Sequence, residues 1–212
     1  DRVGKLDQLS QIRNVSSMAE IVTVRQQEAL GLGHAVLTAR AAVPPGESFA
    51  VLLGDDILEG PRPAIGQLMD TQKSSGGAVV ALMEVPREET RRYGVCAGPM
   101  VAPGLMRVEG MVEKPEPADA PSNFAIVGRY VLPPSIWDIL ECTERGAGGE
   151  IQLTDALAVL AAEGKVQGQV VDSERFDTGN VMGLLRATLH LAWRRPDLKP
   201  DIQALIAELQ EL

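Results

Sequence analysis

The sequence of 212 residues predicts an α/β fold in which a mostly parallel sheet is flanked by helices. The first indication is the stretch FAVLLGDDIL at Phe49, whose apolar half predicts a short strand buried on both faces that ends at Gly54 and two adjacent acids. The second is an alternation of strand-like and helix-like segments, which is typical of βαβ units. The third is composition, since 45% of the residues are hydrophobic and 23% are charged. One domain over residues 1–212 is therefore expected.

In the first half of the chain, helical periodicity is weak at the start, and IVTV is the first strand-like run. A glycine-containing loop then introduces HAVLTARAA, which is helical in composition. These patterns predict, in order, helix 6–18, strand 21–24, loop 31–33, helix 34–42, the strand that starts at Phe49, helix 64–74, strand 78–85 and strand 93–96. A section punctuated by proline and glycine follows as far as Lys114.

In the second half, the apolar run FAIVGRYVL leads into Pro133 and Pro134, and proline suits the first turn of a helix because its φ is fixed and its nitrogen carries no hydrogen. IQLTDALAVLAAE is the clearest amphipathic helix. The predicted order is strand 124–132, helix 136–141, turn 146–149, helix 151–163, strand 166–171, helix 180–193 and helix 202–212. The C-terminal helical part, residues 179–212, is a candidate surface for self-association.

Charge and cysteine content exclude several classes of protein. The net charge is −9 without a basic run, which argues against a nucleic-acid partner. Cys96 and Cys142 are the only cysteines and belong to no metal-binding motif, so we expect free thiols. There is no apolar run of membrane-spanning length and no leader-like start, so no membrane partner is expected and the cytoplasm is the default compartment.

Two aspartates are the first candidates for chemistry. Asp55 and Asp177 each follow an apolar strand and stand close to a glycine at the start of a new segment. Ligands bind at the carboxyl ends of strands in open α/β sheets, and two carboxylates there suit Mg²⁺ that is held against a phosphate. The alternative is that each acid caps the element that follows it, which is the commoner role for a single aspartate in a loop.

Two further groups could bind substrate. Glu113 and Lys114, in MVEKPEP, combine an acceptor for sugar hydroxyls with a cation for a phosphate, although such a dipeptide is more often a solvated surface pair. Gln26 offers a donor and an acceptor suited to the imide edge of a pyrimidine, and Gly31 would let a flat base approach the backbone. A polar loop with a capping glycine is the alternative. His34 has no partner at catalytic spacing and is expected to be an ordinary helix residue, as is His190.

Laid end to end, these segments resemble the bacterial UTP–glucose-1-phosphate uridylyltransferases of the sugar nucleotidyltransferase superfamily. The strings that carry the resemblance cover most of the chain in family order: VRQQEALGLGHAVLTA at Val24, FAVLLGDDIL at Phe49, YGV at Tyr93, VEKPEPADAPSNFAIVGRYVL at Val112, GAGGEIQLTDAL at Gly146 and FDTGN at Phe176. The resemblance implies the Rossmann-like fold of the nucleotide-diphospho-sugar transferases, here lacking its first strands.

The resemblance also implies a role for individual residues. Asp55 and Asp177 match the two acids that bind Mg²⁺, and Asp56 occupies a position that the family fills variably, so it is expected to be a supporting or capping acid. The sugar side is implied for Glu113, which would bind glucose hydroxyls, and for Lys114, which would contact the phosphate of glucose 1-phosphate. Backbone contacts with the sugar are implied at Gly94 and Ile126, and uracil recognition at Gln26 and Gly31.

The implied reaction joins UTP and glucose 1-phosphate to give UDP-glucose and pyrophosphate, with Mg²⁺ as cofactor. In this mechanism the sugar phosphate attacks the α-phosphorus in line, and no covalent enzyme intermediate is needed. The family typically forms dimers or tetramers, so a homodimer or homotetramer is implied.

Two departures from the family pattern keep alternatives open. The Gly-rich GxGTR segment that would cradle the triphosphate has no counterpart in the sequence, so the chain is expected to be truncated at its N-terminus relative to the family. Val181 stands where the family usually has lysine. A catalytically incompetent fragment or sugar-phosphate-binding module is therefore the first alternative. A thymidylyltransferase-like relative is the second, and the strings around Gln26 and at Gly146 disfavour it.

Overall fold

The structure is a computed structural model that describes residues 6–211, apart from the side chains of residues 7 and 8. Its α-helices are α1 (Leu6–Ser17), α2 (Leu32–Thr38), α3 (Ala64–Ser75), α4 (Ile136–Cys142), α5 (Leu153–Ala162), α6 (Val181–Arg194) and α7 (Lys199–Gln210). Its strands are β1 (Phe49–Leu52), β2 (Asp56–Glu59), β3 (Ala78–Glu84), β4 (Gly94–Ala97), β5 (Met100–Ala102), β6 (Leu105–Arg107), β7 (Gly110–Glu113), β8 (Phe124–Leu132), β9 (Val166–Val170) and β10 (Glu174–Asp177).

The main sheet is organised around the long strand β8. Its strands follow the order β5-β6-β9-β3-β8-β4-β7, and β1 also pairs with β8. β3 runs along one edge of β8, while β1 and β4 share the other edge, at residues 129–132 and 124–125 respectively. A separate antiparallel pair, β2 with β10, places Asp56 opposite Asp177. Strand ends from both sheets therefore meet near the end of β1.

The prediction of an α/β fold with a mixed sheet flanked by helices is confirmed, but the prediction that the sheet is mainly parallel is wrong. Among the described strands, β3 and β9 form the only parallel pair. β1 and β3 do run in the same direction, as expected for two strands joined through α3. The oppositely directed β8 lies between them, so the two strands that the alternation predicts as neighbours are not hydrogen-bonded to each other.

Most predicted elements are confirmed, with small differences at their ends. The helix predicted over 202–212 begins earlier, at Lys199, with Pro200 in its first turn, and Leu212 lies outside the described residues. Five short strands, β2, β5, β6, β7 and β10, are not predicted from the sequence. Each has only three or four residues, which is too short for periodicity to identify.

Two strand predictions need correction. Residues 21–24 have no regular structure, and Ile21 and Val22 are 83% and 67% exposed, because no described strand pairs with them. β1 is also not buried on both faces: Phe49 and Val51 pack against the core, whereas Leu52 is 53% exposed. An apolar run is consistent with a two-sided strand, but burial depends on what the rest of the chain places on each face.

The core lies on both faces of β3 and β8. Val80 and Leu82 point to the face covered by α2, α4 and α5, where they join Leu132, Leu153 and Leu157. Val79 and Ala81 point to the opposite face, where they meet Leu68 of α3. This packing fixes the N-terminal end of α5 beside the ends of β4 and β7, which is where the candidate site lies.

The remaining sequence-based expectations concern cysteines and membranes. Cys96 and Cys142 are both free, the first buried and the second exposed, as predicted. Within residues 6–211, no helix combines the length and the apolar character needed to cross a membrane. The cytoplasmic location stays a prediction.

Candidate active site

A cavity of about 350 Å³ brings together six of the eight predicted site residues. It opens where β1, β7 and β10 end and where β4 and α5 begin. The predicted residues that line it are Asp55, Gly94, Glu113, Lys114, Ile126 and Asp177. Residues that the sequence did not single out line it as well, namely Arg92, Tyr93, Thr154 and Arg175. Acids that are 122 positions apart in the sequence thus share one site.

The side chains of Asp55 and Asp177 converge on one point. A β-carbon added to Gly179 would lie 2.9 Å from Asp55 Oδ2 and 3.3 Å from Asp177 Oδ1, so glycine leaves the space between the two carboxylates open. The loops that carry them are joined, since the Thr178 backbone N–H and hydroxyl both donate to the carbonyl oxygen of Asp55, at 2.7 and 2.8 Å. Neither aspartate caps a helix: Asn180 caps α6 by accepting from the Gly183 N–H. The capping alternative is therefore wrong for Asp177.

This arrangement fits a divalent cation that is held partly by its substrate. Carboxylate oxygens are hard ligands, and Mg²⁺ is commonly bound by one or two carboxylates while waters and substrate phosphates complete its octahedron. Within residues 6–211, no group of three or more acidic, histidine or cysteine side chains forms a closed metal site. Asp177 also accepts a hydrogen bond from Arg92 Nη2 at 2.8 Å, which partly neutralises the pair.

Asp56, the second acid of the GDD sequence, has a supporting role, as predicted. Only 6% of it is exposed, and its Oδ1 accepts a hydrogen bond from Arg175 Nε at 2.6 Å. Burial raises the pKa of Asp56 above its usual range, and the guanidinium of Arg175 opposes this shift without cancelling it. A β-carbon on Gly128, whose φ is +51°, would collide with the Asp56 carboxylate. The ion pair joins β2 to β10 and so holds the two metal candidates side by side.

Arg129 of β8 stabilises the loop that carries Asp55. Its guanidinium donates to the carbonyl oxygens of Leu53 at 3.1 Å and of Asp56 at 2.5 Å. The two carbonyls flank the turn that contains Asp55, so the guanidinium holds that turn from both sides. Three arginines, Arg92, Arg129 and Arg175, therefore surround the aspartates, and none of them was predicted.

The sugar-side candidates lie on the opposite wall of the cavity. Glu113 is only 12% exposed in its side chain, and its Oε2 accepts a hydrogen bond from the Thr154 hydroxyl at 2.7 Å. The solvated-pair alternative is therefore wrong for Glu113, whereas Lys114 is 52% exposed and its Nζ lies 3.7 Å from Glu113 Oε1. The backbone φ of Lys114 is +46°, a value that is rare for residues other than glycine. The Lys114 N–H donates to the Tyr93 carbonyl at 2.9 Å.

Gly94 and Ile126 complete this wall. A β-carbon on Gly94 would lie 2.8 Å from Thr154 Oγ1, 3.1 Å from Glu113 Oε2 and 3.2 Å from Ile126 Cδ1. Glycine is therefore required to keep the hydrogen bond of Glu113 undisturbed. Ile126 is buried on β8, with 6% exposed, and it supports this wall from below.

The two predicted base-binding residues lie outside the lining of this cavity, although Leu32, the first residue of α2, contributes to it. Gly31 has a φ of +107°, and a β-carbon there would lie 2.7 Å from the carbonyl oxygen of Ile151. Glycine is thus required at this position, because the segment that precedes α5 passes too close for a side chain. His34 is more than the ordinary helix residue predicted, because its Nδ1 lies 2.9 Å from Gln26 Nε2.

Thr154, Tyr93 and the arginines are the residues that sequence reasoning missed. Each lies within or next to a string that carries the family resemblance, but none has a chemical type or spacing that indicates a site by itself. Their importance comes from contacts across long stretches of sequence, such as the 119 positions between Asp56 and Arg175.

A larger groove of about 690 Å³ adjoins the cavity and shares Arg92, Tyr93, Arg175 and Asp177 with it. Its other wall is the apolar side of α6. The smaller cavity is the better candidate for chemistry because it contains both aspartates, Glu113 and Lys114.

Comparisons with known proteins agree with this arrangement. Residues 4–193 match the family described as nucleotidyl transferase. The UTP–glucose-1-phosphate uridylyltransferase of Staphylococcus epidermidis is 43% identical over 206 residues, which are 97% of this chain and 71% of that protein. The protein of the same name from Staphylococcus haemolyticus is 43% identical over 207 residues, again 97% of this chain and 71% of the relative.

Solved structures give the same result. A UDP-glucose pyrophosphorylase complexed with UDP-glucose superposes with a TM-score of 0.85 at 37% identity, covering 90% of this chain and 73% of that one. The UDP-glucose pyrophosphorylase from Acinetobacter baumannii also gives 0.85, at 34% identity, covering 98% of this chain and 73% of that one. The chain therefore belongs to the nucleotidyl transferase family, and within it to the UTP–glucose-1-phosphate uridylyltransferases.

Proposed function

We propose that this chain forms UDP-glucose and pyrophosphate from UTP and glucose 1-phosphate. The observation that carries the proposal is the meeting of a convergent carboxylate pair and a Glu-Lys pair in one cavity, in a chain of this family. Related proteins bear the name of this activity. Among the described residues that line the cavity there is no histidine or cysteine nucleophile, which is consistent with direct transfer between substrates.

Each group has a task in the proposed reaction. Asp55 and Asp177 would hold Mg²⁺, which would neutralise charge on the triphosphate. Glu113, whose carboxylate is held by Thr154, accepts hydrogen bonds from glucose hydroxyls. Lys114, exposed at the cavity rim, pairs with the phosphate of glucose 1-phosphate and directs its oxygen at the α-phosphorus of UTP. Pyrophosphate leaves on the opposite side.

Four residues are proposed to recognise the parts of the substrates that do not react. The backbones of Gly94 and Ile126 contact the sugar, and Gly94 has no side chain that would crowd Thr154 and Glu113. Gln26 and Gly31 meet the uracil ring. The assignment of Gln26 and Gly31 is supported by the fixed position of the loop before α2, where the Gly33 N–H donates to the Ile151 carbonyl at 2.8 Å.

The test is Mg²⁺-dependent release of pyrophosphate from UTP and glucose 1-phosphate. Asp55→Asn should abolish it, whereas Asp119→Asn, which changes an exposed acid between β7 and β8, should leave it unchanged. Retained activity in Asp55→Asn would refute the metal assignment. Binding of glucose 1-phosphate without turnover would instead indicate the sugar-phosphate-binding module, and a preference for dTTP over UTP in competition would indicate a thymidylyltransferase-like relative.

We also propose that residues 179–212 form the interface of a homodimer or homotetramer. α6 exposes a row of large apolar side chains, among them Val181 at 82%, Met182 at 69% and Leu184 at 54%. Sedimentation of Met182→Lys should show a smaller species than wild type, while Ser74→Lys, an exposed change on α3, should not alter the assembly. A monomeric wild-type chain would refute this interface.

A further inference from the structure

The amide of Gln26 is held by two contacts that fix its orientation. Its Nε2 lies 3.2 Å from the carbonyl oxygen of Gly31 and 2.9 Å from the Nδ1 of His34. Gly31 and His34 come from the segment that begins α2, and the side chains of Gln26 and His34 are half-buried. The amide nitrogen therefore has two partners, one for each of its hydrogens.

These contacts determine which atom is the donor. A backbone carbonyl can only accept, so the amide atom that faces Gly31 must be the NH₂ group and not the oxygen. The second hydrogen of that group then points at His34, whose Nδ1 must be unprotonated to accept it. His34 is thus held as the neutral tautomer that carries its proton on Nε2. The Gln26 Oε1 remains as an acceptor for another molecule.

We propose that His34 is a positioning residue that strengthens base specificity, because its Nδ1, together with the Gly31 carbonyl, holds the Gln26 NH₂ group and leaves Oε1 for the nucleotide base. The inference rests on the proposed function, in which Gln26 meets the base. A fixed acceptor selects a base whose facing edge carries an N–H, as N3 of uracil does. It rejects cytosine, whose N3 is itself an acceptor, because two acceptors would then face each other without a proton between them.

The position of His34 is itself fixed. The loop before α2 is tied to the segment that precedes α5 by two backbone hydrogen bonds, from Ile151 N–H to the Leu30 carbonyl at 2.7 Å and from Gly33 N–H to the Ile151 carbonyl at 2.8 Å. A freely rotating glutamine could turn its NH₂ group outward and accept cytosine as readily as uracil. Here that rotation would turn the amide oxygen toward the Gly31 carbonyl and toward His34 Nδ1, so both hydrogen bonds of the NH₂ group would be lost; His34 contributes one of the two.

The tautomer can be tested without any ligand. The chain has two histidines, so a long-range ¹H–¹⁵N correlation spectrum of the full chain contains two imidazoles, and His190→Ala assigns them. We expect His34 to be protonated on Nε2 and bare on Nδ1 at pH 8. Protonation on Nδ1 would overturn the inference.

The specificity is tested by binding of UDP-glucose and CDP-glucose, measured by calorimetry. His34→Ala should lower the preference for UDP-glucose about five- to tenfold, the range expected for one hydrogen bond. His34→Asn should preserve it, since its amide oxygen can replace Nδ1 as the acceptor, and His190→Ala should preserve it as well. Binding of glucose 1-phosphate, which has no base, checks that each variant is folded.

The outcomes separate this inference from the proposed function. If Gln26→Ala loses the preference but His34→Ala keeps it, the role of His34 is overturned and the proposed function stands. If wild type binds glucose 1-phosphate but shows no preference between the two nucleotide sugars, recognition of the base by Gln26 is wrong, and the inference is wrong with it. If wild type binds neither glucose 1-phosphate nor UDP-glucose, the proposed function itself is refuted.

Discussion

Replacing Gly179 by alanine should weaken Mg²⁺ binding without removing either carboxylate. The new methyl group would lie 2.9 Å from Asp55 Oδ2 and 3.3 Å from Asp177 Oδ1, closer than carbon and oxygen normally approach. Asp55 is exposed and can turn away, so the fold should tolerate the change at a cost of about 1 kcal/mol or less, a fall in Tm of at most ~4 °C. The carboxylates, however, can no longer point at the same position.

The expected loss of Mg²⁺ affinity is about 10- to 100-fold, the range seen when the groups that orient a metal ligand are changed. Calorimetric titration with Mg²⁺ in the presence of UTP measures it, and the Mg²⁺ dependence of pyrophosphate release gives a second readout. Gly54→Ala is the matched control, because Gly54 adjoins Asp55 but an added methyl group there meets nothing within 4 Å. Equal Mg²⁺ affinity in both variants would refute the idea that Asp55 and Asp177 grip one ion.

Three further predictions follow from contacts described above. Thr154→Val removes the hydroxyl that donates to Glu113, so the KM for glucose 1-phosphate should rise about five- to tenfold in steady-state assays. Thr154→Ser keeps the hydroxyl and should have a KM near that of wild type. An unchanged KM in the valine variant would contradict this prediction. Asp56→Asn leaves its buried arginine partner with only the more distant Asp177, 4.0 Å away, as a counter-ion, so the free energy of unfolding should fall by about 3 kcal/mol and Tm by ~6–12 °C. A shift below ~2 °C in thermal melts would show that the pair does not stabilise the fold. Burial raises the pKa of Cys96 to about 12, so almost none of this thiol is ionised at pH 8. A disulfide reagent should therefore react with one thiol, Cys142, in the native chain and with two after denaturation. Two fast-reacting thiols in the native chain would disprove the burial of Cys96.

Much of the secondary structure could be predicted because it follows from local pattern. β8 is nine residues long and apolar, α5 has a clear apolar face, and both were predicted nearly to their ends. The meeting of Asp55 and Asp177 could also be predicted, since both follow strands and strand ends gather at an edge of the sheet. The structure adds that they meet through β2 and β10, two strands too short to be seen in the sequence.

The contacts that hold the site together could not be predicted, because they join residues far apart in the chain. Nothing in the sequence near Arg175 indicates that it pairs with Asp56, and nothing near Thr154 indicates Glu113. The direction of β8 is another such feature. An alternation of strands and helices predicts the direction of β1 and β3 correctly, but it cannot show that a later strand of opposite direction lies between them.

Tyr93 connects the two halves of the cavity, and its two contacts explain why the site is a single structural unit. Its carbonyl accepts the N–H of Lys114, which holds that lysine at a φ of +46°, a conformation that costs about 1 kcal/mol and persists only where the surroundings enforce it. Its phenol oxygen lies 2.9 Å from Arg175 Nη1, and the same guanidinium stacks on its ring, 5.0 Å from the centroid. Arg175 in turn holds Asp56, the neighbour of Asp55. Tyr93 and Arg175 therefore connect the loop of the aspartates to the lysine that is proposed to hold the sugar phosphate. In the proposed reaction, which depends on aligning two substrates in line, such a connection would keep the attacking oxygen and the α-phosphorus aligned.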